Sequence, residues 1–175
     1  LGFPLVLKGM GHAHKSEVGA VHLNLWSSQA VAQAAADMDS DGYLLEQMVT
    51  DGVAEVLVAV LRDPAHGFVL TIGAGGVMTE ILMDVATRLV PATAQDVRAA
   101  LTELRLYPVL RGYRGSPGIN IDALIQAVLG VQSFVLETAA HLEEVEINPL
   151  ICTPDRAVAV DALITMGVSN ERDTD

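Results

Sequence analysis

A chain of 175 residues, of which 51% are hydrophobic, is long enough to bury a full core and is therefore globular rather than disordered. Its net charge of −12 argues against nonspecific binding to nucleic acids or anionic membranes, both of which require basic surfaces. The single cysteine, Cys152, excludes an internal disulfide and a cysteine-based zinc site, and it is typical of a reducing cytoplasm. No apolar stretch reaches the roughly 18 residues of a membrane span, and no signal peptide is recognisable.

The first part of the chain predicts strands joined by tight turns. An alanine-rich helix begins at Ser27 or Ser28, whose hydroxyl can cap it, and extends to about Met38. A hairpin is expected around the turn Asp63-Pro64-Ala65-His66-Gly67. The predicted strands are residues 5–9, 18–25, 43–49, 55–62 and 68–72.

The second part begins after the glycine-rich run 73–76 and predicts more helix. A strand at 86–90 precedes a helix that Thr93 caps and that reaches Leu104, and residues 107–110 predict a short helix. Asp122 opens a long helix to about Ala140. Two final strands are expected at 142–147 and 157–164, before the polar tail 167–175. These elements predict the α+β class, because regular βαβ alternation is absent.

Side chains that could carry chemistry occur at the ends of these strands. Glu146 and Asn148 end one predicted strand, and Asp161 lies inside the next. Two oxygen ligands on neighbouring strands are what a Mg²⁺ ion bridging nucleotide phosphates requires. Lys8 ends the first strand and is either a phosphate-binding cation or a solvated strand end.

The loop after Lys8 concentrates polar groups in the run His12-Ala13-His14-Lys15-Ser16. Such a loop either holds phosphates or is an ordinary polar surface loop. A neutral histidine can also accept a phosphoryl group, because its imidazole is a good nucleophile. Both interpretations stay open at this point.

Three further sites each allow a functional and an ordinary interpretation. The strand end at Glu46 and Met48 can offer backbone groups to a purine edge, or it is simply half-buried. Glu55 can accept both ribose hydroxyls, or it is a solvated glutamate. Arg111 and Arg114 can clamp an anion, or they are surface arginines in a loop. Residues at 80, 84 and 88 are spaced to share one helix face as an ion-pair ladder of Glu, Asp and Arg.

Taken together in chain order, these motifs resemble the ATP-grasp domain of NDP-forming acyl-CoA synthetases, the superfamily that includes succinyl-CoA synthetase and ADP-forming acetate–CoA ligases. The matching stretches are Gly2-Phe3-Pro4-Leu5-Val6-Leu7-Lys8, His14-Lys15-Ser16-Glu17-Val18-Gly19-Ala20-Val21, Glu46-Gln47-Met48-Val49, Arg62-Asp63-Pro64, Gly73-Ala74-Gly75-Gly76 and Glu146-Ile147-Asn148-Pro149-Leu150.

The resemblance implies two α+β lobes around a nucleotide cleft. Residues 1–72 would be part of the nucleotide lid lobe, and residues 73–166 would form the C-terminal lobe with the Mg²⁺ site, followed by the tail 167–175. The N-terminal part of the lid is expected to be missing. Because the sequence also lacks an initiator Met, we expect a fragment of a longer protein that is inactive in isolation.

The resemblance also implies a role for each candidate residue. Lys8 would contact the nucleotide phosphates, Glu46 and Met48 would hold adenine through backbone atoms, and Glu55 would bind the ribose. Asn148 and Asp161 would be the Mg²⁺ ligands, Glu146 would steady a phosphohistidine, and His14 would relay the phosphoryl group. The presence of His14 is similar to the acetate–CoA ligase branch rather than the succinyl-CoA synthetase branch.

The implied reaction joins an acid to CoA while ATP is converted to ADP and phosphate. The implied cofactors are Mg²⁺ and ATP or ADP. The expected partners are CoA-binding and ligase domains, either fused or on a separate subunit, and neither a nucleic acid nor a membrane. Two alternatives are a regulatory ATP-grasp-like scaffold fused to a protein lysine acetyltransferase and another ATP-grasp carboxylate ligase in which His14 is incidental.

Overall fold

The computed structural model describes residues 1–11 and 19–167, and it divides the chain into two compact units. The small unit comprises Leu1–Thr50, and the large unit comprises Asp51–Asp175. In the part of the chain that is described, no helix is long and apolar enough to cross a membrane.

The small unit is a three-stranded antiparallel sheet with one helix. Its elements are β1 (Leu5–Gly9), β2 (Val21–Leu25), α1 (Ser28–Asp37) and β3 (Tyr43–Gln47), and the strand order is β2-β1-β3. The helix begins where predicted, because the Ser27 hydroxyl accepts the Ala30 N–H at 3.1 Å. Leu5 and Leu7 belong to the small core together with residues of α1. Since side chains alternate along a strand, Lys8 lies on the opposite face of β1 from these leucines.

The large unit is a six-stranded sheet whose strand pairs are all antiparallel. Its strands are β4 (Ala54–Asp63), β5 (Gly67–Ala74), β6 (Val85–Leu89), β7 (Leu142–Cys152), β8 (Ala157–Ala159) and β9 (Ala162–Met166). Its helices are α2 (Thr79–Leu82), α3 (Ala94–Glu103), α4 (Tyr107–Leu110) and α5 (Ile121–Glu137). The strand order is β6-β5-β4-β7-β8, and β9 also pairs with β7. The predicted α+β class and the hairpin of β4 and β5 are confirmed.

The core of the large unit lies between this sheet and the longer helices α3 and α5. Its fully buried residues include Val56, Val58, Val60, Leu70, Ile72, Val97, Leu101, Leu124, Val128 and Val135. The alternate residues of β4 at 56, 58 and 60 face one side of the sheet, as the period of a strand requires. Thr93 and Asp96 form the predicted capping box at the start of α3.

The predicted strand at 142–147 is too short. The observed strand β7 continues through the motif at Glu146 and ends only at Cys152. The prediction stopped early because Pro149 has no N–H for the ladder and normally ends a strand. The second predicted strand, 157–164, is instead interrupted, so that Asp161 lies between β8 and β9 rather than inside a strand.

The predicted helix face of Glu80, Asp84 and Arg88 is wrong. The helix α2 ends at Leu82, and Arg88 lies in β6. Asp84 is buried, with 7% of its surface exposed, and its carboxylate accepts the N–H groups of Arg105 and Leu106 at 2.9 and 2.8 Å. Residues spaced four apart share one face only where the backbone is helical. Here the Asp84 carboxylate instead binds the turn that leads into α4.

The two compact units divide between Thr50 and Asp51, whereas the sequence predicted a lobe boundary after residue 72. The strand β5 crosses that predicted boundary, since it extends to Ala74. Both β4 and β5 belong to the sheet of β7, which holds residues 54–74 in the large unit. The functional labels given to the two lobes stay predictions.

Candidate functional site

Lys8 and Glu46 form an ion pair within the small unit. The register of β1 and β3 pairs Val6 with Glu46 and Lys8 with Leu44, so Lys8 and Glu46 are diagonal neighbours on one face. The Lys8 Nζ lies 2.6 Å from Glu46 Oε2, and only 8% of the Lys8 side chain is exposed. The cation predicted to contact phosphates is therefore held close to a carboxylate by the sheet itself.

The backbone at Met48 is also engaged within the small unit. β3 ends at Gln47, and the next N–H, that of Met48, donates to the Pro4 carbonyl at 3.0 Å. The contact with adenine that the sequence predicts for Met48 would therefore use its carbonyl, or it would require this hydrogen bond to break.

Glu46 contributes its side chain to the Lys8 pair, which the sequence did not anticipate, since it assigned only backbone atoms to this residue.

Glu146 and Asn148 lie two residues apart on β7, so their side chains share one face of the strand. The Asn148 Nδ2 donates to Glu146 Oε1 at 3.3 Å, and both residues are half-buried. The orientation of the amide is consistent with its partners, because a carboxylate can only accept a hydrogen bond from it. The structure thus brings together two of the residues that the sequence predicted to act at one site.

The strands β8 and β9 both pair with β7, and they leave a gap in its ladder at Asn148 and Pro149. The pairing of β7 with β9 ends at Ile147 and Ala162, and the pairing with β8 begins at Leu150 and Ala159. Both ladders keep the same register against β7, so the gap spans two residues on each side. Against β4 the register of β7 shifts across the same two residues, since Val56 pairs with Leu150 and Val58 pairs with Ile147.

The gap contains Asn148 and Pro149 on β7 and Val160 and Asp161 between β8 and β9. The Val160 N–H donates to the Pro149 carbonyl at 3.3 Å, which keeps the two chains together at this point. The Asp161 Oδ1 accepts the Ala162 N–H at 3.0 Å. The two predicted Mg²⁺ ligands therefore both lie directly beyond the last regular pair of β7 and β9, Ile147 with Ala162.

The glycine-rich run reaches the same place from the end of β5. The Gly76 N–H donates to Asn148 Oδ1 at 2.7 Å, and the Gly75 N–H donates to the Glu55 carbonyl at 2.9 Å. A β-carbon built on Gly76 would lie 1.6 Å from Glu55 Oε2, so the Glu55 carboxylate occupies the space beside this glycine. Glu55, predicted to bind ribose, and Asn148 therefore both lie against Gly76.

The two predicted Mg²⁺ ligands at the β7 gap, Asn148 and Asp161, offer an amide and a carboxylate oxygen, which are hard ligands of the kind that Mg²⁺ prefers. Among residues 1–11 and 19–167, no three His, Cys, Asp or Glu side chains form a ready-made metal cage.

Among the described residues, Arg111, Arg114 and Cys152 make none of the contacts that hold this cluster together. His14 lies outside the described residues. Arg111 and Arg114 are exposed, and the Arg114 guanidinium lies 5.3 Å from the centre of the Tyr113 ring. Cys152 is buried, and burial raises the pKa of its thiol to about 12. An inert structural cysteine, as expected from the sequence, fits this environment.

Gly76 is the residue of this cluster whose role the sequence did not reveal. The run Gly73-Ala74-Gly75-Gly76 stood out by composition, but no chemistry was assigned to it. Two adjacent glycines were the available signal, because they permit close backbone approach or positive φ. Which glycine approaches which side chain depends on the packing of β4, β5 and β7.

Comparison with known proteins gives a consistent assignment. The family described as ATP-grasp domain matches residues 1–166. The chain is 34% identical to the beta subunit of acetate–CoA ligase [ADP-forming] I from Pyrococcus furiosus, and the match covers 93% of this chain and 75% of that subunit. It is 32% identical to acetate–CoA ligase [ADP-forming] I from Archaeoglobus fulgidus, where the match covers 95% of this chain but 26% of the longer relative.

A solved structure with a similar fold is the dinucleotide forming acetyl-coenzyme A synthetase 1 of Ca. Korarchaeum cryptofilum, in complex with coenzyme A and Mg-AMPPCP. The TM-score is 0.83 at 32% sequence identity, over 94% of this chain and 77% of that chain. In that structure the phosphohistidine segment points towards the nucleotide binding site. The matched family, the sequence identity and the shared fold agree with one another, and the chain therefore belongs to the ATP-grasp domain family, in the branch of the ADP-forming acyl-CoA synthetases.

Proposed function

We propose that this chain is the nucleotide-handling module of an acid–CoA ligase that forms ADP. It would bind Mg²⁺ with ATP or ADP and transfer a phosphoryl group between the nucleotide and a histidine. The overall reaction would convert an acid, CoA and ATP into acyl-CoA, ADP and phosphate. The observation that carries this proposal is the arrangement at the β7 gap, which contains Asn148 and Asp161 and where Asn148 contacts Glu146.

The residues at the gap fit a divalent cation that travels with a nucleotide. Asn148 and Asp161 would hold it, and a carboxamide oxygen has two lone pairs, so the hydrogen bond from Gly76 leaves Asn148 Oδ1 able to accept another partner. When bound, the cation would neutralise charge on the phosphates, which favours transfer of the terminal phosphoryl group. The Mg-AMPPCP in the related synthetase supports this choice of ligand.

The transfer step exchanges one bond for another at the terminal phosphorus. A nitrogen of a neutral imidazole would attack the γ-phosphorus, a P–N bond would form, and the P–O bond to ADP would break. Glu146 would orient the accepting imidazole and stabilise the positive charge that develops on the ring. Lys8 would contact the phosphates through its ammonium group, in exchange for part of its interaction with Glu46.

The accepting histidine is either His14 or a histidine that another domain brings to the nucleotide. The related synthetase structure has a phosphohistidine segment directed to its nucleotide site, which supports the second source for at least one step. His14 would then relay the phosphoryl group, as the resemblance to the acetate–CoA ligase branch implies. Both histidines can serve in sequence, because each P–N bond is reversibly formed.

The proposed partners are CoA-binding and ligase domains. The Pyrococcus relative is a separate beta subunit, whereas the match to the Archaeoglobus relative covers about a quarter of a longer chain. The same module therefore occurs with and without fusion among these relatives. We propose that the acid and CoA bind to such domains rather than to this module.

The proposal is tested on the full enzyme with all its partner domains, incubated with ATP that carries ³²P at the γ position. Wild type should form acid-labile, base-stable phosphohistidine, and Glu146→Gln should slow its formation about 100-fold, since one oriented electrostatic contact is worth that order. Glu144→Gln is a matched control, because Glu144 lies two residues away on the same face of β7 and contacts Thr165. Unchanged labelling in Glu146→Gln would show that the role assigned to Glu146 is wrong.

The role of His14 is separated by His14→Ala in the same assay. Loss of all labelling on this chain, with labelling retained on the partner domain, is expected if His14 relays the phosphoryl group. Full turnover without His14 would instead show that the relay is unnecessary and would favour an enzyme in which this histidine is incidental.

A further inference from the structure

Gly76 contacts two side chains that the resemblance assigns to different parts of the ligand. Its N–H donates to Asn148 Oδ1 at 2.7 Å, and the Glu55 carboxylate fills the space where a side chain would begin. Gly76 also has φ +62°, a backbone conformation that favours glycine over all other residues. The Glu55 carboxylate and the positive φ thus both disfavour a side chain at this position.

The neighbouring Gly75 explains why the backbone can come so close. A β-carbon on Gly75 would lie 2.6 Å from the carbonyl carbon of Val56 and 2.8 Å from the Leu57 nitrogen. The Gly75 N–H donates to the Glu55 carbonyl at 2.9 Å, which ties the turn after β5 to the start of β4. This attachment delivers the next N–H, that of Gly76, to Asn148.

The hydrogen bonds on Asn148 determine how its amide is turned. The Gly76 N–H can only donate, and the Glu146 carboxylate can only accept. Asn148 therefore presents Oδ1 to Gly76 and Nδ2 to Glu146. An asparagine binds a hard cation through Oδ1. Because the Gly76 N–H fixes the direction of Oδ1, it also determines the side from which a cation can reach this oxygen.

We propose that Gly76 is a positioning residue of the nucleotide and metal site, which orients Asn148 through its N–H and leaves room for the Glu55 carboxylate. This inference rests on the function proposed above for Asn148 and Glu55. Gly76 itself need not touch the cation. Groups that orient a metal ligand typically change metal affinity by about 10-fold to 100-fold when they are altered.

The test compares Gly76→Ala with Gly67→Ala. Gly67 has φ +81° in the same unit, and a β-carbon there meets nothing within 4 Å, so this control reproduces the backbone strain without the contacts. Binding of Mn²⁺ with AMPPCP is measured on the full enzyme from the electron paramagnetic resonance signal of free Mn²⁺. Gly76→Ala should weaken binding about 10-fold, and Gly67→Ala should change it less than about 2-fold.

A double-mutant cycle shows whether Gly76 acts through Asn148. In an Asn148→Ala background, Gly76→Ala should weaken Mn²⁺ binding less than it does in wild type, because there is no longer an amide to orient and only the displacement of the Glu55 carboxylate remains. Equal effects of Gly76→Ala in both backgrounds would overturn the proposal, as would normal Mn²⁺ binding by Gly76→Ala.

The free energies of unfolding of the same four proteins are then measured by urea denaturation without metal or nucleotide. This measurement tests the Gly76–Asn148 contact independently of ligand binding. Non-additive unfolding free energies together with no binding of Mn²⁺ and AMPPCP by wild type would refute the proposed function while confirming the contact. Additive unfolding free energies together with tight wild-type binding would refute the positioning role and leave the proposed function standing.

Discussion

The two units hold their candidate functional side chains in opposite ways. In the small unit, Lys8 is paired with Glu46 across neighbouring strands, so its charge is balanced inside the sheet. In the large unit, Asn148 is held by a backbone N–H and by Glu146 at a gap in the pairing of β7. Replacing Lys8 should therefore lower the stability of the fold as well as any ligand binding, whereas replacing the side chains at the gap should weaken mainly ligand binding.

The largest effect is expected for Asn148→Ala at the gap in β7. Binding of Mn²⁺ with AMPPCP should weaken about 100-fold, because the variant lacks the oxygen ligand that we propose for Asn148. The free energy of unfolding should fall by only about 1 kcal/mol, because the Gly76 N–H and the Glu146 carboxylate belong to half-buried residues and can form hydrogen bonds with water instead. Electron paramagnetic resonance and urea denaturation measure the two quantities. A loss of stability without a loss of binding would reverse the contrast between the units.

A smaller effect, and one on folding, is expected for Lys8→Met in the small unit. Removing the ammonium leaves the Glu46 carboxylate without its ion-pair partner, which should lower the free energy of unfolding by about 2 kcal/mol. Trp26 is the only tryptophan and lies in the small unit, so its fluorescence can follow urea unfolding there.

The double variant Lys8→Met with Glu46→Gln is the control for this prediction. It should recover part of the lost stability, because no carboxylate is then left unpaired. If the double variant is less stable than Lys8→Met, the carboxylate is not the cause of the loss.

A weaker, pH-dependent effect is expected at the capping box of α3 in the large unit. Hydrogen bonds from the Thr93 hydroxyl and backbone N–H hold the pKa of the Asp96 carboxyl below its ordinary value of 3.8. A lowered pKa in the folded state stabilises folding above the ordinary value, and this contribution is lost as the pH falls through the lowered pKa.

The urea midpoint of wild type should therefore fall more steeply than that of Asp96→Asn between about pH 5 and about pH 3. Parallel pH profiles of the two proteins would show that the cap does not depend on ionised Asp96.

The smallest effect is expected at Cys152, at the far end of β7 from Glu146. Burial raises the pKa of its thiol to about 12, so the native protein holds almost no thiolate at neutral pH. A thiol reagent should leave native protein unmodified and should react after unfolding in urea. Rapid reaction in the native state would mean that this end of β7 opens readily, which would weaken the view of β7 as a rigid support for the gap.

Local sequence signals predicted most elements correctly. The helix α3 begins at Thr93, whose hydroxyl and the Asp96 carboxylate satisfy backbone N–H groups at the first turn. The hairpin of β4 and β5 follows from two apolar runs around a Pro- and Gly-containing turn. These features depend on residues within a few positions of one another, which is why they can be inferred from sequence alone.

The errors occur where a distant part of the chain decides the structure. β7 continues past Pro149 because both of its neighbours resume pairing beyond it. Asp84 serves the turn before α4, more than twenty residues away, rather than a helix of its own. No local propensity reports such contacts, so periodicity alone assigned these residues to the wrong context.

The sequence by itself determined the fold class, the short-range caps and turns, and, through ordered motifs, the ATP-grasp family. It also identified Asn148 and Asp161 as candidate ligands. Only the tertiary structure decided that they lie at the same gap in the pairing of β7, that Lys8 is balanced by Glu46, and that Gly76 holds the Asn148 amide. The physical reason is that residue type limits which chemistry is available, whereas strand register and close backbone packing determine which of these groups meet.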